Sequence, residues 1–176
     1  GVAGRVLLLR GAGGGAWEWN VWGGVFEAEG FEVAVPDLLP VADGIGATRF
    51  EDYVAQIRGA AREGDVLVGA SLGGLLALVV APVVRPCALV LVNAMPPVPW
   101  HSMLPAREAS ADVVPWGSEA SLAGTRKAMP DADDAACLYA FRRWRDESGA
   151  VMAAASAGVT VEPPVCPVLV MASELD

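Results

Sequence analysis

Residues 65–76, Asp65-Val66-Leu67-Val68-Gly69-Ala70-Ser71-Leu72-Gly73-Gly74-Leu75-Leu76, constrain this chain more than any other stretch. A short Val- and Leu-rich run reads as a buried strand, Gly69-Ala70-Ser71-Leu72-Gly73 fits the pattern G-x-S-x-G, and an apolar run of helical length follows. The order is strand, sharp turn, helix. A serine held at a strained bend leaves no room for side chains two positions to either side, which is the physical use of Gly69 and Gly73. Such a bend lifts the Ser71 hydroxyl above a sheet and aims the Leu72 backbone N–H into the same space, where it can stabilise an oxyanion. Taken alone, the pentapeptide also suits a glycine-rich connection with an incidental serine.

The rest of the chain alternates in the same way. Arg5 to Leu9 reads as an apolar strand running into Gly11-Ala12-Gly13-Gly14-Gly15. A helix is expected next, with Trp17, Val21, Trp22, Val25 and Phe26 on its core face and Gly30 as its stop. Phe31 to Val35 is the next strand, ended by Pro36-Asp37, and Pro40 to Ala47 reads as loop. Thr48-Arg49-Phe50-Glu51 has capping-box spacing, Phe50, Tyr53, Val54 and Ile57 form a core-facing stripe, and Gly64 closes that helix. After the Ser71 bend come a helix from Leu72 to about Val80 and a strand from Cys87 to Val92. Strands alternating with helices imply a mostly parallel sheet covered on both faces, an α/β architecture.

From Met95 the composition shifts to Pro96, Pro97, Pro99, Pro105 and Pro115 with Trp100 and Trp116, which excludes core strand. Asp133 to Ser148 places Cys137, Leu138, Phe141 and Trp144 at helical spacing, acids first and arginines late. Residues 95–160 therefore read as a small helical cap inserted into a core of residues 1–94 and 161–176. Val165 to Met171 reads as one more buried strand, followed by Ala172-Ser173-Glu174-Leu175-Asp176.

Composition narrows the partners. At 176 residues and 54% hydrophobic, the chain suits one domain with a real core. A net charge of −9 argues against nucleic acid or an anionic membrane. The apolar run from Leu72 to Val84 is too short to span a bilayer and contains Pro82. Gly1 to Gly15 carries no recognisable secretory leader. Cys87, Cys137 and Cys166 are widely spaced, with no C-x-x-C and no neighbouring histidine. They read as reduced, mostly buried thiols of a cytoplasmic protein, with no metal site.

Four segments in register resemble the α/β-hydrolase fold family: Val6–Trp17, Val35-Pro36-Asp37-Leu38, Gly69–Gly74 and Pro167–Asp176. The resemblance covers nearly the whole chain and is closest to the small capped esterases that include plant methyl esterases and hydroxynitrile lyases. It implies Ser71 as nucleophile, Leu72 and Ala12 N–H groups as the oxyanion hole, and Asp176 as the acid. No metal or organic cofactor is implied. Arg10-Gly11 stands where the family usually has His-Gly, which alters how that loop is pinned. Trp100, His101, Met103, Leu104, Trp116 and Phe141 are the expected pocket residues from the cap. The implied activity is hydrolysis of a small, mainly apolar carboxylic ester or thioester through an acyl-enzyme.

The departure that matters is histidine. The family's base follows the acid beyond one more strand, and the sole histidine here is His101, which reads as surface or cleft lining. The expectation is that residues 1–176 belong to a longer polypeptide carrying the last strand, the histidine and the last helix, and that alone they are inactive. A sheet stopping at Val165–Met171 would expose an apolar edge. An intact mass near 18.2 kDa would contradict this expectation. Three other readings compete: a non-catalytic scaffold binding a small apolar ligand; a lyase, cyclase or acyltransferase on the same fold; and a nicotinamide enzyme using Gly11-x-Gly13-x-x-Ala16 with Asp37. The last is weakened by bulky Trp17 and Trp19 and by the lack of a Tyr-x-x-x-Lys pair. A serine at 71 argues against epoxide hydrolase and haloalkane dehalogenase chemistry, which use an aspartate there in this fold.

Overall fold

In the computed structural model, which describes residues 4–104 and 111–173, five parallel strands form one sheet in the order β2-β1-β3-β4-β7. They are β1 (Arg5–Leu9), β2 (Glu32–Ala34), β3 (Val66–Ala70), β4 (Ala88–Val92) and β7 (Val168–Met171). The helices between them are α1 (Asn20–Ala28), α2 (Phe50–Ala60) and α3 (Leu72–Val84). Side chains alternate across the pleat, so each strand feeds two cores. Leu7, Leu9, Leu67, Leu89 and Leu91 face α2 and α3, whereas Val6, Leu8 and Val68 pack with Trp19, Trp22 and Phe26 on the opposite face. Both faces are covered over β1, β3 and β4, as the strand–helix alternation implies.

Between β4 and β7 lie β5 (Val113–Val114), α4 (Leu122–Ala128), α5 (Asp134–Phe141), β6 (Glu147–Ser148) and α6 (Gly149–Ala157). β5 and β6 pair antiparallel, and Val151, Met152 and Ala155 of α6 join the core beside α2 and α3.

Several expectations are corrected. The first helix begins at Asn20, after a 3-10 turn over Ala16–Trp19, and its buried side is Trp19, Gly23 and the partly covered Trp22 and Phe26. Val21 and Val25 are 76% and 59% exposed, because a residue's face follows the helical turn set by Trp19 and not its hydrophobicity. Gly30, at φ +91°, does stop this helix. The α2 cap sits one residue later than the spacing suggests: the Arg49 N–H donates to Asp52, and Thr48 is buried, its hydroxyl bonding Gly44 and Val41. That helix ends at Ala60, before Gly64. The stripe Phe50, Tyr53, Val54, Ile57 holds, with Tyr53 and Ile57 fully buried.

α3 runs through Pro82 to Val84 and stops at Arg85 in the left-handed region. Pro82 cannot donate a helical hydrogen bond and crowds the carbonyl four residues back, and the ten buried residues of α3 outweigh that cost. The helix expected over Asp133–Ser148 ends at Phe141, where the chain turns to deliver Arg145 and Glu147 to the first glycine loop. Asp133 caps it as a helix N-cap should, accepting from the Ala136 N–H. The last strand starts at Val168, not Val165, and its residues are exposed, since among the described residues nothing covers that edge. Cys87 is exposed rather than buried.

Candidate active site

The register of the sheet puts the two glycine-rich bends side by side. Leu9 of β1 pairs with Gly69 of β3, so two residues further on Gly11 meets Ser71; a Cβ on Gly11 would lie 3.5 Å from the Ser71 Cβ. Ser71 sits at φ 53°, ψ −118°, a strained conformation for a non-glycine residue. Three glycines make the bend possible by backbone proximity. A Cβ on Gly69 would strike the Gly73 carbonyl, one on Gly73 would strike the carbonyls of Leu9 and Arg10, and one on Gly74 would strike Ala94. The Ser71 N–H donates to the Val92 carbonyl at 3.0 Å, and the Met95 N–H donates to the Ser71 carbonyl at 2.9 Å, tying the bend to the end of β4.

The first bend is held differently, by charge. Gly11 and Gly15 N–H groups donate to Glu18 Oε2, both at 3.2 Å. The Gly13 N–H donates to Glu147 Oε1 at 3.1 Å, Gly14 to the Gly11 carbonyl, and Ala16 to Asp37 Oδ1 at 2.8 Å. The carbonyls are fixed too: Gly13 accepts from the Arg145 N–H, and Gly14 from Arg145 Nε and Nη2 at 2.9 and 2.7 Å. Among the described residues, Ala12 is the one position from 11 to 16 whose N–H donates to no protein acceptor. The carboxylates that occupy the Gly11, Gly13, Gly15 and Ala16 amides also disfavour a dinucleotide pyrophosphate there.

Arg10 is buried, 3% exposed, and pairs with Glu147 at 3.1 Å while donating to the Gly11 and Leu38 carbonyls and contacting the Tyr53 hydroxyl. The Tyr53 O–H in turn donates to Glu147 Oε2 at 2.6 Å. Burial opposes the Arg10 charge, but Glu147 and Tyr53 outweigh it and hold the guanidinium's pKa above its ordinary value. Burial pushes the Tyr53 hydroxyl up as well, reinforced by Glu147. Burial also raises Glu18 to about 7, against the opposing pull of the Gly11 and Gly15 amides and of Arg10 and Arg145.

A cleft of about 1010 Å³ opens at these bends, lined by Ala12, Ser71, Met95, Leu104, Trp116, Trp144 and Met152 among others. Of the six expected pocket residues, Leu104 and Trp116 line it. Trp100, His101, Met103 and Phe141 are not among its described lining residues. Trp100 and Met103 are largely exposed, and His101 packs beside Gly158, with its Nδ1 buried and unpartnered. The reason is the 3-10 turn over Trp100–Met103, which sets these side chains away from the cleft and delivers only the following Leu104 to it. Asp176 lies outside the described residues.

The strand–bend–helix geometry at Ser71, seated at the carboxyl ends of parallel strands, is matched by a comparison with known families: residues 6–176 match the alpha/beta hydrolase family. The chain belongs to that family. Members of the alpha/beta hydrolase family are generally hydrolytic enzymes. Solved structures agree on the fold. A variant of tomato methylketone synthase I complexed with beta-ketoheptanoate superposes with TM-score 0.73 at 19% identity, covering 100% of this chain and 81% of that one. A pyrethroid hydrolase gives 0.66 at 17%, covering 98% and 89%. Polyneuridine aldehyde esterase gives 0.61 at 18%, covering 89% and 73%. A search of curated protein sequences returned no match. Among the described residues, no helix is long and apolar enough to cross a membrane.

Sequence reasoning missed Glu18, Glu147 and Arg145 as parts of this site. Glu18 carries a faint signal, a carboxylate three residues after Gly15 in capping-box spacing. Glu147 lies 137 positions from Arg10, with no local pattern to reveal it.

Proposed function

We propose that this protein is a serine hydrolase of small, mainly apolar carboxylic esters or thioesters, acting through an acyl-enzyme. The observation that carries this is Ser71, held in a strained bend at the mouth of the cleft, opposite the uncommitted Ala12 amide. In this reading the Ser71 Oγ attacks the carbonyl carbon, and the carbonyl oxygen takes up negative charge between the N–H groups of Ala12 and Leu72. Leu72 opens α3, so its N–H has no helical carbonyl four residues back. The leaving alcohol or thiol departs on collapse, and water then releases the acid.

Residues 95–160 act as a cap: Leu104, Trp116, Trp144 and Met152 enclose the acyl group. No Lys or Arg is among the described lining residues, and Glu119 is their one ionisable side chain, which disfavours anionic substrates. Asp176 orients the imidazole that takes the Ser71 proton. His101, turned toward Gly158, does not serve as that base. The unpaired thiols fit a reducing compartment such as the cytoplasm.

The test is hydrolysis of p-nitrophenyl butanoate by the natural protein and its Ser71→Ala variant. Loss of at least about 10³-fold in kcat/KM supports the reading, and an unchanged rate overturns it. A second reading, a ligand-binding scaffold, is favoured by the placement of His101 beside Gly158 and not among the described residues lining the cleft. It predicts binding of neutral apolar esters without turnover.

A further inference from the structure

Glu18 is a charged group held inside the first bend that the mechanism above leaves unused. Its Oε2 accepts from two amides of one loop, Gly11 and Gly15, and the loop closes so tightly that a side chain on Gly14 would collide with this carboxylate. Gly11 stands between Glu18 and the nucleophile. A Cβ at Gly11 would be 3.7 Å from Glu18 Oε1 and 3.5 Å from the Ser71 Cβ. The neighbouring peptide, Ala12, is the oxyanion donor in the reading above.

We propose that Glu18 is a positioning residue: ionised, it grips Gly11 and Gly15 from inside the loop and sets the Ala12 N–H toward Ser71, and protonation relaxes that grip. This rests on Ser71 being the nucleophile. Charge-assisted hydrogen bonds are about twice as strong as neutral ones, so the proton removes a large part of the hold. The groups facing Glu18 are Arg10 at the end of β1, Arg145 before β6, Asp37 after β2, and Glu147 on β6 through Gly13. Burial lifts Glu18 to about 7, so this switch falls at neutral pH.

The test compares the rate of Ser71 labelling by a fluorophosphonate in the natural protein and in Glu18→Gln, from pH 5 to 9. Glutamine keeps the acceptor and lacks the charge, so the base that activates Ser71 affects both proteins alike and cancels in the ratio. The expected result is about tenfold slower labelling of the variant above pH 8, with the two rates converging below pH 6. A ratio that stays flat across pH overturns the proposal while leaving the nucleophile in place. The amide resonances of Gly11 and Gly15 supply a second readout: they titrate together near pH 7 in the natural protein and not in Glu18→Gln. Titrating amides with no labelling of Ser71 at any pH would overturn the hydrolase reading, and the positioning role with it.

Discussion

The two glycine-rich bends that meet at the cleft are built on different principles. The bend at 69–74 is set by steric exclusion: Gly69, Gly73 and Gly74 press against backbone or against Ala94, and no charged group is needed to hold them. The loop at 11–16 is set by charge, with Glu18 inside it and Glu147, Arg145 and Asp37 around it. Packed backbone resists deformation and answers weakly to pH, whereas a loop held by carboxylates can be loosened by a proton or by loss of one partner. In the proposed reading, the nucleophile therefore sits on the fixed bend and the oxyanion donor on the adjustable loop.

The comparison breaks most visibly at Gly73. Gly73→Ala drives a methyl into two carbonyl oxygens and is expected to cost about 5 kcal/mol or abolish folding in thermal unfolding. Gly14→Ala runs first into the Glu18 carboxylate, a side chain that can move, and should cost far less, about 1–2 kcal/mol. Equal losses at the two positions would refute the contrast.

Next in size is Glu147→Ala, which strands the buried Arg10 charge; about 3–4 kcal/mol is expected by chemical denaturation. The double replacement Arg10→Met with Glu147→Leu should restore much of that stability while leaving the Gly13 amide without its acceptor.

Glu18 sharpens the contrast through pH. Its carboxyl binds a proton more tightly in the folded than in the unfolded chain, so it erodes stability as pH rises from the ordinary glutamate value of 4.5 to about 7, with no further loss above. Glu18→Gln removes that slope. It should be about 2 kcal/mol more stable than the natural protein at pH 8 and little different at pH 4. Smallest is Asp37→Asn: the Asp37–Arg145 pair is over a third exposed, and less than about 1 kcal/mol should be lost, less still in high salt.

The same contrast explains what could be read from the sequence. The bend at Ser71 follows from contiguous small residues between an apolar strand and an apolar helix, and the alternation of strands and helices carries the α/β architecture with it. Apolar stripes such as Phe50, Tyr53 and Ile57 were equally visible, because helical periodicity is a local property. The charge network was not. Arg10 and Glu147 meet only through folding, and the turn after Phe141 that brings Arg145 and Glu147 inward overrides a helical pattern that continues to Ser148. The cleft walls were half visible, since tryptophans and methionines mark an apolar surface without saying which way it turns. Leu104 and Trp116 face the cleft, while Trp100 and Met103 face solvent.

The central claim is that Ser71 is presented as a nucleophile by a rigid bend. Intact-mass and peptide mass spectrometry of the natural protein after reaction with a fluorophosphonate test it most directly. One adduct per chain, located on the peptide containing Ser71 and absent in Ser71→Ala, is the predicted result. An unmodified protein, or an adduct that persists in Ser71→Ala, would contradict it.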